Sequence, residues 1–216
     1  MWANVQDELA AILSSRVFPS LAQDTGYRLM FRNAGLTGKL PPDIAGLPPA
    51  IQEKLRQAAQ MCAQLVTRHV EGLAALRERR AKAVVLAGPL TLYRLWSQRK
   101  NDQVRAWWFT AGVLDQAISA SAGNRGVAID WLRDRLAVSF DWNDCDRVAR
   151  RVLHPGNALP AIEALGLPMR KYSRDAPGAP GVSMKDYWAN YTDMFQGRKT
   201  QYFLPFVPPS RVSDFW

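Results

Sequence analysis

An arginine at the end of an apolar strand is the side chain with the clearest chemical potential in this sequence. Residues 90–94 read Leu-Thr-Leu-Tyr-Arg, a pattern that predicts a half-buried strand ending at Arg94. A guanidinium group is always charged, and its planar fork of donors fits a phosphate or a carboxylate. Arg94 is therefore either the clamp of a phosphate-containing ligand or the partner of an aspartate such as Asp102 or Asp115.

An aromatic segment follows, in which Trp107, Trp108 and Phe109 are consecutive and Thr110 comes next. Flat aromatic rings can stack against a planar ring of a ligand. Because side chains alternate along a strand, Trp107 and Phe109 share one face and Trp108 lies on the other. At least one face of this strand therefore belongs to the core.

Residues 90–94 and 107–110, together with the late segment Gln201–Pro205, resemble the ADP-ribosyltransferase-like and NAD glycohydrolase toxin domains of bacterial polymorphic and interbacterial toxins. The similarity extends over about residues 84 to 207, in short pieces. It implies that NAD is the substrate, that no metal is needed and that Arg94 holds the pyrophosphate or the ribose. It also implies that Gln201 is catalytic and that NAD contacts a set of strand residues: Tyr93, Trp107, Trp108, Phe109 and Thr110.

The late strand departs from the family pattern, because the family usually has a glutamate where this sequence has Gln201. ADP-ribose transfer passes through an oxocarbenium-like ribose, which a carboxylate stabilises. An amide orients the ribose but cannot offset its charge, so Gln201 favours NAD hydrolysis or a transferase that uses an aspartate. After Glu78 the only glutamate is Glu163. The alternative for Gln201 is an ordinary polar strand residue.

Two kinds of pattern divide the chain near residue 82. Apolar spacing predicts one helix over residues 5–17 and a second from Pro49 or Ala50 to about Lys82, with a Gly- and Pro-rich loop between them. Strands and helices then mix without regular βαβ alternation, which favours an α+β fold. We expect a helical docking region at residues 1–82. A split, mostly antiparallel β core with flanking helices, ADP-ribosyltransferase-like, would occupy residues 83–216 and bind NAD.

Local patterns within the β core predict its individual elements. They indicate strands at residues 84–86, 90–95, 107–109 and 201–207, helices at residues 115–121 and 129–140, and a strand or helical turn at residues 162–167.

Composition restricts the class of protein further. The net charge of +9 favours an acidic partner such as nucleic acid, anionic lipid or an acidic protein. Only two Cys and two His are present, which makes a structural zinc site unfavourable. No apolar run reaches the length of a membrane span, and the first residues lack a signal-peptide pattern. We therefore expect a chain made in the bacterial cytoplasm without a signal peptide.

These observations lead to an enzyme hypothesis and to a rival. The first is an NAD-consuming toxin or effector that acts in interbacterial competition. The resemblance implies delivery by a dedicated secretion system, a cognate immunity protein, and a chaperone or secretion component at the N-terminal helices. The acceptor of ADP-ribose could be protein or nucleic acid. The rival is a non-enzymatic protein whose basic surface binds nucleic acid or an acidic protein, with Arg94 structural.

Overall fold

The computed structural model describes residues 2–72, 80–98, 106–138, 145–166, 169–170, 194–207 and 212–216. Three α-helices and one short 3₁₀ helix (Pro19–Leu21) form its N-terminal part, and the α-helices are α1 (Trp2–Ser15), α2 (Thr25–Asn33) and α3 (Pro49–Gly72). The remainder contains nine strands and two further helices. In chain order these are β1 (Lys82–Ala87), β2 (Leu90–Trp96), β3 (Trp107–Thr110), α4 (Ala111–Ala120), α5 (Arg125–Leu136), β4 (Arg147–Leu153), β5 (Ala158–Leu165), β6 (Met169–Arg170), β7 (Met194–Phe195), β8 (Thr200–Phe203) and β9 (Val212–Asp214).

The N-terminal helices form one packed layer. In α1, Val5, Leu9 and Leu13 recur at helical spacing and are buried, which gives the helix one apolar face for α3. The loop expected between the two predicted helices contains α2, which the sequence analysis missed. The Asp24 side chain accepts a hydrogen bond from the Tyr27 backbone N–H at 2.9 Å and so caps this helix.

The sequence predicts that the long helix ends at about Lys82, and residues 73–79 lie outside the described residues, so the position of its end stays a prediction. Helix α3 is described as far as Gly72, and Lys82 is already the first residue of β1. Strand β1 packs against α1, and the Glu8 carboxylate accepts a hydrogen bond from the Ala83 N–H at 2.8 Å. A single core cluster also includes residues from both sides of position 82. The division into a docking region and a catalytic region stays a prediction.

Seven strands form one antiparallel sheet in the order β1-β5-β8-β3-β2-β4-β9. Strand β3 joins the two halves of this sheet. Its first residues, Trp107 and Trp108, pair with β8, whereas Phe109 and Thr110 pair with β2. The β2–β3 ladder thus stops at Tyr93, and the sheet divides beyond it. Strands β6 and β7 pair with each other separately.

Two corners carry the chain from one half of the sheet to the other. One corner joins β1 to β2 at Gly88, and the second joins β4 to β5 at residues 154–157. They touch, because Gly88 bridges Pro155. A Cβ atom on Gly88 would lie 2.1 Å from the His154 carbonyl oxygen, so only glycine fits this approach.

The two faces of the sheet have different coverings. Tyr93, Phe109 and Val148 lie on the helix face, where they pack with Leu114 of α4 and Leu132 of α5. The opposite face buries leucines from both halves of the sheet in one cluster, which includes Leu86, Leu92, Leu153 and Leu159. We call it the arginine face, because Arg94 and Arg151 also lie on it.

The predicted α+β fold class is confirmed, with helices at the N-terminus followed by an antiparallel β core and flanking helices. The predicted strands at residues 84–86, 90–95 and 107–109 all lie within observed strands, and the late strand is shorter than expected, ending at Phe203. Within the described ranges, no helix has the length and apolar character needed to cross a membrane.

Candidate functional site

Arg94 lies on the arginine face at the point where β2 separates from β3. Leu92 pairs with Thr110 of β3. Arg94 follows Leu92 by two residues, and side chains two residues apart in a strand point to the same face of the sheet. Only 6% of Arg94 is exposed, and its Nη1 donates a hydrogen bond to the Trp107 carbonyl oxygen at 3.2 Å. The guanidinium group thus donates a hydrogen bond to a backbone carbonyl of β3 beyond the end of the β2–β3 ladder. The expectation that the strand ends at Arg94 is wrong, because β2 continues through Leu95 and Trp96, which still pair with β4.

A second buried arginine, Arg151 on β4, was missed by the sequence analysis. Arg151 pairs with Leu92, and Arg94 pairs with Ala149, which makes the two arginines diagonal neighbours on one face. Long side chains at such positions can reach each other. Only 5% of Arg151 is exposed.

No described residue satisfies the buried Nη1 of Arg151. Burial lowers the pKa of Arg151 from 12.5 to about 10, so the group is still charged at neutral pH. A buried charge without a partner is costly, and an anion is the group that would offset the cost. Arg94 and Arg151 together therefore form the best candidate anion site of this sheet.

The sequence did contain a signal for Arg151. Strand β4 reads Arg-Val-Ala-Arg-Arg-Val-Leu, and two consecutive arginines in a strand must face opposite ways. The structure exposes Arg150 and buries Arg151. Sequence alone could not assign which of the two is inside, because both have apolar neighbours at the next positions.

A carboxylate and a phenol continue the arginine face across the other half of the sheet. Trp108 pairs with Tyr202, and Tyr202 pairs with Glu163, so these side chains share the face of Arg94. Glu163 also forms an ion pair with Lys82, with the Lys82 Nζ 3.1 Å from the Glu163 Oε1. Its side chain is 26% exposed.

The environment of Tyr202 raises the pKa of its phenol to about 12. Burial is the largest cause, followed by the negative charge of Glu163 and the hydrogen bond between the two side chains. The phenol is therefore a proton donor to Glu163 over the whole physiological range. Three strand spacings, roughly 14 Å in a flat sheet, separate Glu163 from Arg94.

Gln201 lies on the helix face. It is adjacent to Tyr202 in β8, and successive side chains of a strand point to opposite faces, so Gln201 and Arg94 do not share a face. Its Nε2 donates a hydrogen bond to the Leu136 carbonyl oxygen at the end of α5, at 2.8 Å. Gln201 is 7% exposed. Its role at the ribose stays a prediction.

The residues expected to contact the rings of NAD are divided between the two faces. Trp108 is 1% and Phe109 is 2% exposed, so both faces of β3 are buried at these positions. Tyr93 contacts Phe109 and Phe215 in the helix-face core. Trp107 is half-buried and packs edge-on against Phe203. Thr110, also half-buried, occupies the N-cap position of α4.

The two aspartates proposed as partners of Arg94 have different outcomes. Asp115 is exposed on α4, which covers the helix face and not the face of Arg94. Asp102 lies outside the described residues. Among the residues that the structure describes, no group of three or more His, Cys, Asp and Glu is arranged to hold a metal ion.

Comparison with known proteins gave no relative. No protein-family model, curated protein or solved structure matches the chain.

Proposed function

We propose that the protein consumes NAD, binding the dinucleotide through its pyrophosphate at Arg94 and Arg151 and cleaving the bond between nicotinamide and ribose. The observation that carries the proposal is the pair of buried guanidinium groups, of which Arg151 has an unsatisfied Nη1. A pyrophosphate supplies several charged acceptor oxygens, which two guanidinium forks bind more specifically than ammonium groups would. NAD is the diphosphate that the resemblance at residues 90–94 and 201–205 favours.

The proposed reaction breaks the glycosidic bond between ribose C1′ and the nicotinamide nitrogen. The bonding electron pair leaves with nicotinamide, and the ribose becomes oxocarbenium-like in the transition state. Attack on C1′ by water yields ADP-ribose and a proton. Attack by a nucleophile of a protein or nucleic acid yields an ADP-ribosylated product and a proton. A negative or strongly polar group close to C1′ lowers the barrier.

Two residues compete for the role at the ribose. Gln201 is favoured by the resemblance. Glu163 is favoured by its position, because it is a partly exposed carboxylate on the same face as Arg94. Tyr202 would hold the Glu163 carboxylate in place through their hydrogen bond. Asp186 and Asp193, the other carboxylates considered from the sequence, lie outside the described residues.

The first experiment incubates the purified protein with NAD, with and without cell lysate. Free nicotinamide and ADP-ribose-labelled macromolecules are measured separately. Nicotinamide release without lysate indicates hydrolysis, and labelled products that need lysate indicate transfer. If NAD is not consumed under either condition, the enzyme proposal fails. The rival then predicts nucleic-acid affinity that falls steeply with added salt.

Two substitutions assign the group at the ribose. Gln201→Ala should lose about 10²-fold in rate if Gln201 contacts the ribose, whereas Glu163→Gln should lose a similar factor if the carboxylate does. Gln201→Glu should retain turnover in the first case and could raise the share of transfer. Glu53→Gln is the matched control, because Glu53 is an exposed glutamate on α3. Equal losses in Glu163→Gln and Glu53→Gln would remove Glu163 from the reaction.

We further propose, from the same resemblance, that the enzyme is a toxin or effector of interbacterial competition. Expression in a bacterial cytoplasm should then deplete NAD or label host macromolecules and stop growth. A partner protein encoded for protection would be an immunity protein, and the N-terminal helices would dock a chaperone or secretion component. Growth that is unaffected by expression of active enzyme would overturn the toxin assignment while leaving the chemistry intact.

A further inference from the structure

We infer that the N-terminal helical layer carries a docking site for an acidic, partly apolar peptide segment of a partner protein. The site consists of two adjoining cavities beside α2, of about 280 and 440 Å³. Arg28 and the stretch Gly38–Leu40 line both of them. Their size is that of sites for small ligands or for single peptide side chains. The inference is independent of the proposed enzyme activity.

The first cavity is cationic. Arg28, Arg32 and Lys39 line it together with the hydroxyl-bearing residues Thr25 and Thr37, and no Asp or Glu contributes to its wall. The structure records no ion pair or side-chain hydrogen bond for Arg28, Arg32 or Lys39, all of which are described residues. Three cations that line one cavity and have no carboxylate partners favour a carboxylate or another anion as the occupant.

The second cavity is mostly apolar. Beyond the shared residues it is formed by Val17, Pro19, Ala22, Pro41 and Pro42. A free inorganic anion or a small polyanion would leave this wall unused. A peptide can place an acidic side chain in the cationic cavity and a neighbouring apolar side chain in this one, which matches both linings at once.

Nucleic acid fits this place less well. Single-stranded nucleic acid is usually held by exposed aromatic rings that stack on its bases. The only aromatic residue in either wall is Phe31, which is 1% exposed. The observations therefore favour a peptide over a nucleic acid.

The backbone turns at Gly38, where the two cavities adjoin. Gly38 lines both, adopts a φ of +88°, and has no atom within 4 Å of the position that a Cβ would take. This left-handed conformation suits glycine and strains other residues. The loop therefore turns sharply at Gly38 without filling the space around it.

The experiment measures binding of a fluorescent synthetic peptide in which glutamate and leucine alternate. Two control peptides replace either the glutamates by glutamine or the leucines by serine, and a single-stranded DNA is the fourth probe. Fluorescence anisotropy is recorded with the unsubstituted 216-residue chain, with Arg28→Glu and with Arg68→Glu. Arg68 is an exposed arginine of α3 that lines neither cavity, so its substitution gives the same change of net charge.

The proposal predicts that the glutamate–leucine peptide binds and that each control peptide binds about tenfold or more weakly. Arg28→Glu should weaken binding by about tenfold or more, because a like charge replaces the attraction, while Arg68→Glu should change it little. Absence of binding to the wild type would overturn the proposal. The proposal would also be overturned if Arg28→Glu and Arg68→Glu had equal effects on peptide binding. It would be overturned as well if the DNA bound more tightly than the peptide and Arg28→Glu abolished that DNA binding.

NAD consumption provides a separate readout. Arg28→Glu should leave it unchanged, because Arg28 belongs to the helical layer and not to the sheet. The peptide result and the enzyme result can therefore fail independently.

Discussion

The two faces of the seven-stranded sheet are similarly buried around β2 and β4, but they bury different chemical groups. On the helix face the buried side chains of β2 and β4 are apolar, with Tyr93 and Val148 packed beneath α4 and α5. On the arginine face Arg94 and Arg151 are both at least nine-tenths buried. Burying a guanidinium group costs free energy, and the Nη1 of Arg151 has no hydrogen-bond partner among the described residues. On β2 and β4 the buried arginines therefore lie on one face only, which is the reason for proposing an anion site there; a further buried arginine, Arg133, belongs to α5.

Neighbouring residues of β4 show the same contrast at the smallest scale. Arg150 and Arg151 are consecutive and chemically identical, yet Arg150 is exposed while Arg151 is 5% exposed. Arg150 can therefore serve as an internal control in tests of Arg151.

The largest expected effect tests the contact between the two corners, where Gly88 approaches the His154 backbone. Gly88→Ala should lower the free energy of unfolding by about 3 kcal/mol or more, because the new Cβ would collide with the His154 backbone. Gly112→Ala is the matched control, since nothing lies within 4 Å of its Cβ position in α4. It should be neutral or stabilising by about 0.5–1 kcal/mol. Urea denaturation measures the free energy of unfolding of both variants. Equal values for Gly88→Ala and Gly112→Ala would contradict the close approach of Gly88 to the His154 backbone.

The next effect tests whether Arg94 binds substrate. Arg94→Lys keeps the charge but removes the planar fork, so NAD turnover should fall by about 10²-fold or more. Circular dichroism should show a folded protein, because Lys retains most of the side-chain volume. Arg150→Lys should retain full turnover. If Arg94→Lys is as active as the wild type, Arg94 has a structural role only.

A smaller effect of opposite sign is expected from Arg151. Arg151→Met removes a buried charge and keeps much of the volume, so the free energy of unfolding should rise by about 1–3 kcal/mol. The lowering of the Arg151 pKa to about 10 agrees with this direction, because it means that burial disfavours the charged form of the side chain. NAD affinity should fall in this variant. Arg150→Met should change neither quantity, and a less stable Arg151→Met would indicate a structural role for the guanidinium.

The smallest effect concerns the pair of Tyr202 and Glu163. A tyrosine whose folded pKa is about 12 adds stability that is complete below the unfolded pKa near 10 and is lost as the pH rises to about 12. Glu163→Gln should lower the Tyr202 pKa, which nevertheless stays above 10 because burial is its main cause.

Ultraviolet titration of tyrosinate measures this pKa, and Tyr202→Phe identifies which transition belongs to Tyr202. Tyr27, whose pKa is also raised to about 12, provides an internal reference that Glu163→Gln should not move. An unchanged Tyr202 transition in Glu163→Gln would show that the two side chains do not interact in solution.

The sequence predicted those parts of the fold that depend on local patterns. Apolar runs located β1, β2 and β3, and helical spacing located α4 and α5. Helix α2 was missed because Gly26 and the Gly- and Pro-rich stretch after it outweighed the Asp24 cap and the buried Tyr27. Strand β5 was only partly predicted, since its alanines and Pro160 are weak strand formers.

The candidate site depended on information that one sequence does not contain. Arg94 was identified because the apolar pattern that predicts its strand lies in consecutive residues of the sequence. Its relation to Glu163 and Tyr202 follows from pairings between residues far apart in the chain, and a shift by one residue would move each side chain to the other face. Arg151 could be assigned to the inside only when the partners of β4 were known.

The order of the strands has a consequence for how the protein is made. Strand β8 is synthesised after β3 and β5, yet it lies between them in the sheet. Until β8 leaves the ribosome, both of these strands keep an unpaired edge, and their pairing with it cannot begin. Such long-range closure is slow and leaves the nascent chain open to aggregation. The two halves of the arginine face thus come together only after β8 has been synthesised, and the proposed ligand site that spans them forms after that step.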